Sequence, residues 1–201
     1  MFKFLKMAVT LSLIGVLTGC SLLSSAPDSE AMTNLPQRQK ELAGLTEFSI
    51  SAAISVKTPE KGVSGGLEWQ QQGEYFQASM QNVLGLNVFA IKTDKSGAEV
   101  KVDGQTHNAQ SASVLLDYLS GWSLPIEEMP LWLKGMAGES AEAMSYDALG
   151  RLQTFTLRDN QGREWQVSYT EFFPNRLALP KTIKLQSSDT RIKLAIREWN
   201  L

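Results

Sequence analysis

One cysteine and one histidine stand in 201 residues, and that scarcity removes several kinds of chemistry at once. A lone cysteine cannot close an internal disulfide. Without Cys or His partners, a transition-metal site would have to be built from carboxylates alone, so no metal or other cofactor is expected. No apolar run reaches the roughly twenty residues that a membrane-spanning helix needs. Charge is equally unpronounced: 19 Lys and Arg against 21 Asp and Glu leave a formal charge of −2. That balance lacks the basic excess that nucleic-acid binding calls for. There is no glycine-rich phosphate loop, no G-x-S-x-G elbow and no internal repeat.

What is present begins at the N-terminus. Lys3 and Lys6 form a short positive segment, and Met7 to Leu17 is an apolar run of about eleven residues, the length of a signal-peptide core. It ends in Leu17-Thr18-Gly19-Cys20, which resembles the lipobox of bacterial lipoproteins. The resemblance implies diacylglycerol on the Cys20 thiol, cleavage before Cys20, and acylation of the new amino terminus. Two or more acyl chains attach a protein stably to a bilayer without crossing it. Ser21 follows, where an aspartate would resemble the signal for retention in the inner membrane, so an outer-membrane address facing the periplasm is expected. The expected organisation is a signal peptide over 1–19, a lipidated cysteine and flexible tether over 20–33 rich in serine and alanine, and one domain over 34–201.

Within that domain Asn34 is placed to cap a helix running to about Gly44, with Pro36 tolerated in its first turn. The period then changes to two. Phe48, Ile50, Ala52, Ile54 and Val56 alternate with small or polar residues, the pattern of a strand with one buried face. Val63 to Gln70 and Phe76 to Met80 repeat it, and 88–91 and 100–102 are shorter strand candidates. Glycines at 62, 73, 97 and 104 mark turns. Ser111 is placed to cap a helix with Val114, Leu115, Tyr118 and Leu119 on one face, ending at Gly121. A proline-punctuated stretch follows, and strands resume over 152–157, 164–169, 182–185 and 191–197. The fold class read from this is mainly β, α+β: a curved antiparallel sheet with an inserted helical segment. Helices across its mouth would enclose either a filled core or an apolar cavity, and periodicity does not choose between them.

Catalytic constellations are missing. His107 sits in a polar turn with no nucleophile motif, and reads as a solvated loop histidine. Glu127-Glu128 suits a helix start, and Glu139 and Glu142 have no fixed separation from which a glycosidase pair could be argued. One segment stands apart. Gln81 to Leu86 lies between two strands, where a turn should be polar, yet carries Val83, Leu84 and Leu86. Such a tip either packs back on the domain or projects toward a membrane or partner.

Together these pieces resemble the LolB family of outer-membrane lipoprotein receptors. The resemblance rests on the lipobox, the Leu45-to-Ser55 strand, Glu68-Trp69-Gln70-Gln71, Asn82-x-Leu84-Gly85, Leu119-x-Gly121 with Pro125, Trp132-x-x-Gly135, and Arg191-Ile192-Lys193-Leu194. Val83 departs from it, since the family loop often has proline there. The resemblance implies an incomplete β-barrel closed by helices around a lipid-binding cavity. It also implies a non-enzymatic, monomeric protein whose partners are a soluble LolA-like periplasmic carrier, the acyl chains of client lipoproteins, and the inner leaflet of the outer membrane. Leu84 is then the residue that hands lipoprotein to the bilayer. The inward members of the clean strands are the expected cavity lining: Phe48, Ile50, Ile54, Leu67, Trp69, Phe76, Met80, Ile183, Leu185, Ile192 and Leu194, with Leu115 and Leu119 as lid. The competing expectations are a scaffold lipoprotein with a solid core, and a hydrolase using His107 or the Glu127-Glu128 pair.

Overall fold

A computed structural model describes residues 34–120, 125–159 and 161–201. The signal segment, Cys20, the tether, Gly121 and Trp122 lie outside these described residues.

Eleven strands form one antiparallel sheet: β1 (Glu47–Lys57), β2 (Gly62–Gln72), β3 (Tyr75–Asn82), β4 (Asn87–Asp94), β5 (Gly97–Val102), β6 (Gln105–Ala109), β7 (Glu142–Tyr146), β8 (Leu152–Arg158), β9 (Glu164–Phe172), β10 (Pro180–Gln186) and β11 (Arg191–Asn200). The spatial order is β6-β5-β4-β3-β2-β1-β11-β10-β9-β8-β7. Two meanders, 47–109 and 142–200, are therefore joined through β1 and β11, and the sheet ends in two edges instead of closing. The β1–β11 seam runs from Ser49 opposite Asn200 to Lys57 opposite Arg191, with a register shift after Ser51.

The alternation read in the sequence is the alternation of burial. In β1 every even position from Phe48 to Val56 is buried, and in β11 Ile192, Leu194 and Ile196 are. One face of the sheet is thus apolar from β1 to β5 and from β8 to β11. Eleven strands about 4.8 Å apart would span on the order of 50 Å if flat. The helices are too short to cover that: α1 (Leu35–Gly44), α2 (Ala112–Ser120) and α3 (Met129–Leu133), with a 3-10 turn at Ile126–Glu128. The sheet accordingly curves around its own apolar face, and the helices complete the closure. Among the described residues no helix is long and apolar enough to cross a membrane.

Several expectations need correction. His107 is not in a turn but in edge strand β6, opposite Val100. β7 carries no burial alternation, being exposed along its whole length, so no period announced it. Helix α2 buries Ala112, Leu115 and Leu116, with Leu119 partly covered, whereas Val114 and Tyr118 point outward at 59% and 83% exposure. The spacing 112, 115, 116, 119 is the helical stripe that meets β5 and β6. Helix α1 sits at the rim: Leu35 lies against Gly150, and the buried Arg38 donates to the carbonyls of Leu177 at 2.9 Å and Ala178 at 3.2 Å. Asn34 does cap it, accepting from the Gln37 N–H.

Candidate functional site

The inner face gathers the residues that alternation singled out. Phe48, Ile50, Ile54, Leu67, Trp69, Phe76, Met80, Leu115, Ile183, Leu185, Ile192 and Leu194 are all buried in one continuous apolar cluster, with Leu119 at its margin. The sequence reading missed other members of that cluster, among them Phe89, Ile91 and Val100 of β4 and β5, and Met129, Trp132, Leu133, Phe155, Val167 and Tyr169 of α3, β8 and β9. Phe155 and Val167 lie on strands whose alternation was visible. Trp132 and Leu133 fall in a proline-punctuated segment with no readable period.

Each helix on the inner face is held by a small number of polar contacts. In α3 the Trp132 carbonyl accepts from the Tyr169 hydroxyl at 3.0 Å, and the Trp132 ring meets Phe155 edge-on with centroids 6.0 Å apart. Burial pushes the Tyr169 phenol far above the ordinary tyrosine range, against a smaller opposing pull from Arg38. At the α2 N-terminus Glu127 acts as a cap supplied from the 3-10 turn: one carboxylate oxygen accepts from the Ser113 N–H at 3.0 Å and the Ser111 hydroxyl at 2.8 Å. Burial pushes the Glu127 carboxyl up, but the hydrogen bonds from Ser113 and Ser111 outweigh it and hold the carboxyl below the usual range. Glu127 is thereby a structural acid, and the hydrolase reading loses its most suggestive residue. A polar cleft of about 600 Å³ separates α2 and the 3-10 turn from the β8–β9 turn, with Leu157 on its wall.

One group in this interior is out of place. Trp69 Nε1 donates to Gln71, Trp165 Nε1 to Asp159, and Trp199 Nε1 to the Pro180 carbonyl. Trp132 Nε1 is fully buried and, among the described residues, has no acceptor. An orphaned donor in an apolar interior costs about 1–3 kcal/mol. The remaining polar chemistry is sparse: no group of three His, Cys, Asp or Glu able to hold a metal occurs among the described residues.

The turn between β3 and β4 is the second feature. Asn82 Oδ1 accepts from the N–H groups of Leu84 at 2.9 Å and Leu86 at 3.0 Å. The Asn82 N–H donates to the Leu86 carbonyl, and Gly85, at φ +78°, donates to the Asn82 carbonyl. The same pattern of bonds occurs at Asp147 to Arg151 and at Asp159 to Arg163. In both of those turns the fifth residue is an arginine paired with the leading aspartate, at 2.7 and 3.3 Å. In the 82–86 turn the leading residue is uncharged and the fifth is Leu86. Val83, Leu84 and Leu86 stand 84%, 79% and 61% exposed, so the tip projects and does not pack back. At the position of Leu84 the 147–151 turn carries a partly buried Leu149 and the 159–163 turn an exposed Gln161, so this backbone does not require an exposed apolar tip. Gly65 makes room for it from below: a Cβ there would lie 1.8 Å from the Gln81 carbonyl oxygen, so β3 crosses β2 closely just before the turn. The hydrogen bonds of Asn82 brace the loop around Val83 and Leu84.

Comparison with known proteins agrees with this arrangement. The family described as "Outer membrane lipoprotein LolB" matches residues 46–199. Relatives include the outer-membrane lipoprotein LolB of Tolumonas auensis, 28% identical with 99% of this chain and 98% of the relative covered. That of Shewanella frigidimarina is 31% identical over 92% of this chain and 88% of the relative. Among solved structures, a LolA superfamily protein from Nitrosomonas europaea shares the fold, with a TM-score of 0.53 at 12% identity over 82% of this chain and 92% of that one. With an open eleven-stranded half-barrel, its helical cover and a family match over most of its length, the chain belongs to the outer membrane lipoprotein LolB family.

Proposed function

We propose that this protein, anchored to the outer membrane through lipid on Cys20, accepts lipoproteins from a soluble periplasmic carrier and delivers them to the inner leaflet of the outer membrane. The acyl chains enter the apolar interior beneath α2 and α3, and the 82–86 turn presents the loaded protein to the bilayer. The observation that carries this reading is the apolar tip: Val83, Leu84 and Leu86 are all exposed, on a turn whose two sisters end in an Asp–Arg pair and place a partly buried Leu149 or a polar Gln161 where Leu84 stands.

Energetics favour such a route. Exposing one acyl chain to water costs on the order of 10 kcal/mol at the per-methylene rate, so transfer requires apolar surface along the whole path. Passing a chain between two apolar interiors needs only a small difference in affinity, since 1.4 kcal/mol is tenfold. The unpartnered Trp132 N–H supports a finer step: it would donate to an ester or amide carbonyl at the head of an acyl chain. Burying Leu84 in lipid contributes about 1.5–3 kcal/mol, enough to orient the protein on a surface and too little to anchor it.

A scaffold lipoprotein with a solid core is the second reading, favoured by the large side chains of Trp69, Trp132 and Trp165 that fill the interior in this conformation. Incubating the mature chain carrying Cys20→Ala with carrier-bound, labelled lipoprotein separates the two. Transfer of label to this protein is expected, followed by passage to added vesicles. A Leu84→Ser variant should accept at the normal rate and deliver about tenfold more slowly. Label that stays on the carrier in the presence of the unaltered protein would leave the scaffold reading standing.

A further inference from the structure

The outer face of the sheet carries a cluster of cations that the fold itself does not use. Lys57 lies directly opposite Arg191 across the β1–β11 seam, and Lys184 directly opposite Lys193 between β10 and β11. All four are exposed. Like charges facing one another across a ladder destabilise it, and here two such pairs sit side by side. Among the described residues none of the four takes part in an ion pair. The carboxylates nearest in sequence do not answer them. Asp189 is held in its own turn by the Ser187 and Thr190 hydroxyls, each at 3.0 Å, and Glu60 in the β1–β2 turn is flanked by Lys61. The four side chains, with Ser55 and Gln186, surround a depression of about 310 Å³, the size of a small-ligand pocket. Hydroxyl, amide, ammonium and guanidinium groups make it rich in donors, and guanidinium matches phosphate geometry.

Register places this cluster level with the apolar turn. Asn82 pairs with Gly65, Gly65 with Ile54, and Ile54 with Leu194. Two residues farther along, Val63, Val56 and Ile192 form a row, and Gly62, Lys57 and Arg191 form the next. The tip at Leu84 is therefore at the same end of the sheet and at the same height as Lys57 and Arg191. Three strand spacings separate β3 from β11, about 15 Å. A surface that receives the tip thus lies within reach of the cations.

From this juxtaposition we infer that Lys57, Lys184, Arg191 and Lys193 form a binding site for the phosphate headgroups of anionic phospholipid in the bilayer that the 82–86 turn enters. This rests on the reading that the turn faces a membrane. The cations and the apolar tip then act as two weak contacts on one surface, and with the acyl anchor they hold the half-barrel in one orientation. An acidic protein surface could satisfy the charges alone, but it would leave unexplained why an apolar tip stands level with them.

The test uses the mature chain with Cys20→Ala, so that no acyl anchor contributes. Binding is measured to vesicles of phosphatidylethanolamine, and to vesicles in which phosphatidylglycerol replaces about a third of it. Phosphatidylglycerol is expected to tighten binding at least tenfold, and the gain should fade as salt is raised. The Lys184→Gln/Lys193→Gln pair should lose about fivefold per cation removed. Lys40→Gln/Lys95→Gln, which removes the same charge from α1 and from the β4–β5 turn at the opposite end of the sheet, should lose little. Equal losses in the two double variants, or no gain from phosphatidylglycerol, would overturn the site. So would a Lys184→Gln/Lys193→Gln protein that binds vesicles normally but receives lipoprotein poorly, because the cluster would then be a contact for the carrier. Uptake of a fluorescent fatty acid without vesicles reads the interior separately, so failure of the acyl-chain reading is visible on its own.

Discussion

Replacing Trp132 by phenylalanine tests whether the buried indole N–H waits for a ligand. The substitution keeps an aromatic ring against Phe155 and removes the one buried side-chain donor that lacks an acceptor among the described residues. Two effects oppose each other in the empty protein. Losing roughly 40 Å³ of side chain, at about 24 cal/mol per Å³ and with fewer contacts, costs about 1–2 kcal/mol. Relieving the orphaned donor returns about 1–3 kcal/mol. The variant should therefore unfold in urea within about 1 kcal/mol of the unaltered protein. Trp165→Phe is the control, because its N–H donates to Asp159 at 3.1 Å. Losing that charge-assisted bond together with the same volume should cost about 2–4 kcal/mol. Ligand binding should show the reverse order. With Trp132→Phe, affinity for a long-chain fatty-acyl ester should fall about two- to tenfold, while affinity for the alkane of equal length stays level. If Trp132→Phe costs as much stability as Trp165→Phe, the donor is satisfied and the reasoning fails. If ester and alkane weaken together, the N–H is not the group that meets the carbonyl.

Three other outcomes follow from the geometry. Gly65→Ala drives a Cβ into the Gln81 carbonyl at 1.8 Å, and should lower the melting temperature by about 3–10 °C through overpacking. Gly66→Ala, where nothing lies within 4 Å, should change it little in the same calorimeter. Arg38→Met strands the carbonyls of Leu177 and Ala178 and should cost about 2–4 kcal/mol in urea unfolding, although burial already disfavours the charged guanidinium. Glu127, held below the ordinary carboxylate range, adds stability that is complete above its unfolded pKa and disappears as pH falls through its lower folded pKa. Protection of the α2 amides, measured as exchange relative to the intrinsic rate at each pH, should therefore fall at acid pH. Glu127→Gln should show the faster exchange already at neutral pH, and exchange that stays slow in the Gln variant would refute the cap.

Legibility in the sequence followed the burial of each element. β1 and β11 could be read nearly end to end because one face is buried along almost their whole length, so period two is written into residue type. β6 and β7 lie on the two edges of the sheet, where β7 meets water on both faces, and their composition carries no alternation. Helix α2 misled for a related reason. It has apolar residues on two sides, and only contact with β5 and β6 decides that Leu116, not Tyr118, faces inward. The capping role of Glu127 was invisible because its partners, Ser111 and Ser113, lie across a turn that local spacing does not predict.

By itself the sequence determined a mainly β domain with one apolar face, an apolar turn where a polar one would serve, and a single cysteine directly after an apolar N-terminal run. Each of these is a matter of residue type against a short period, which local chemistry imposes. Tertiary structure alone decided the rest: the pairing of β1 with β11 that joins two meanders into a half-barrel, the stranding of the Trp132 N–H, and the placing of two like-charged pairs level with the apolar tip. These depend on which distant strands become neighbours, and only the burial of the whole apolar face settles that.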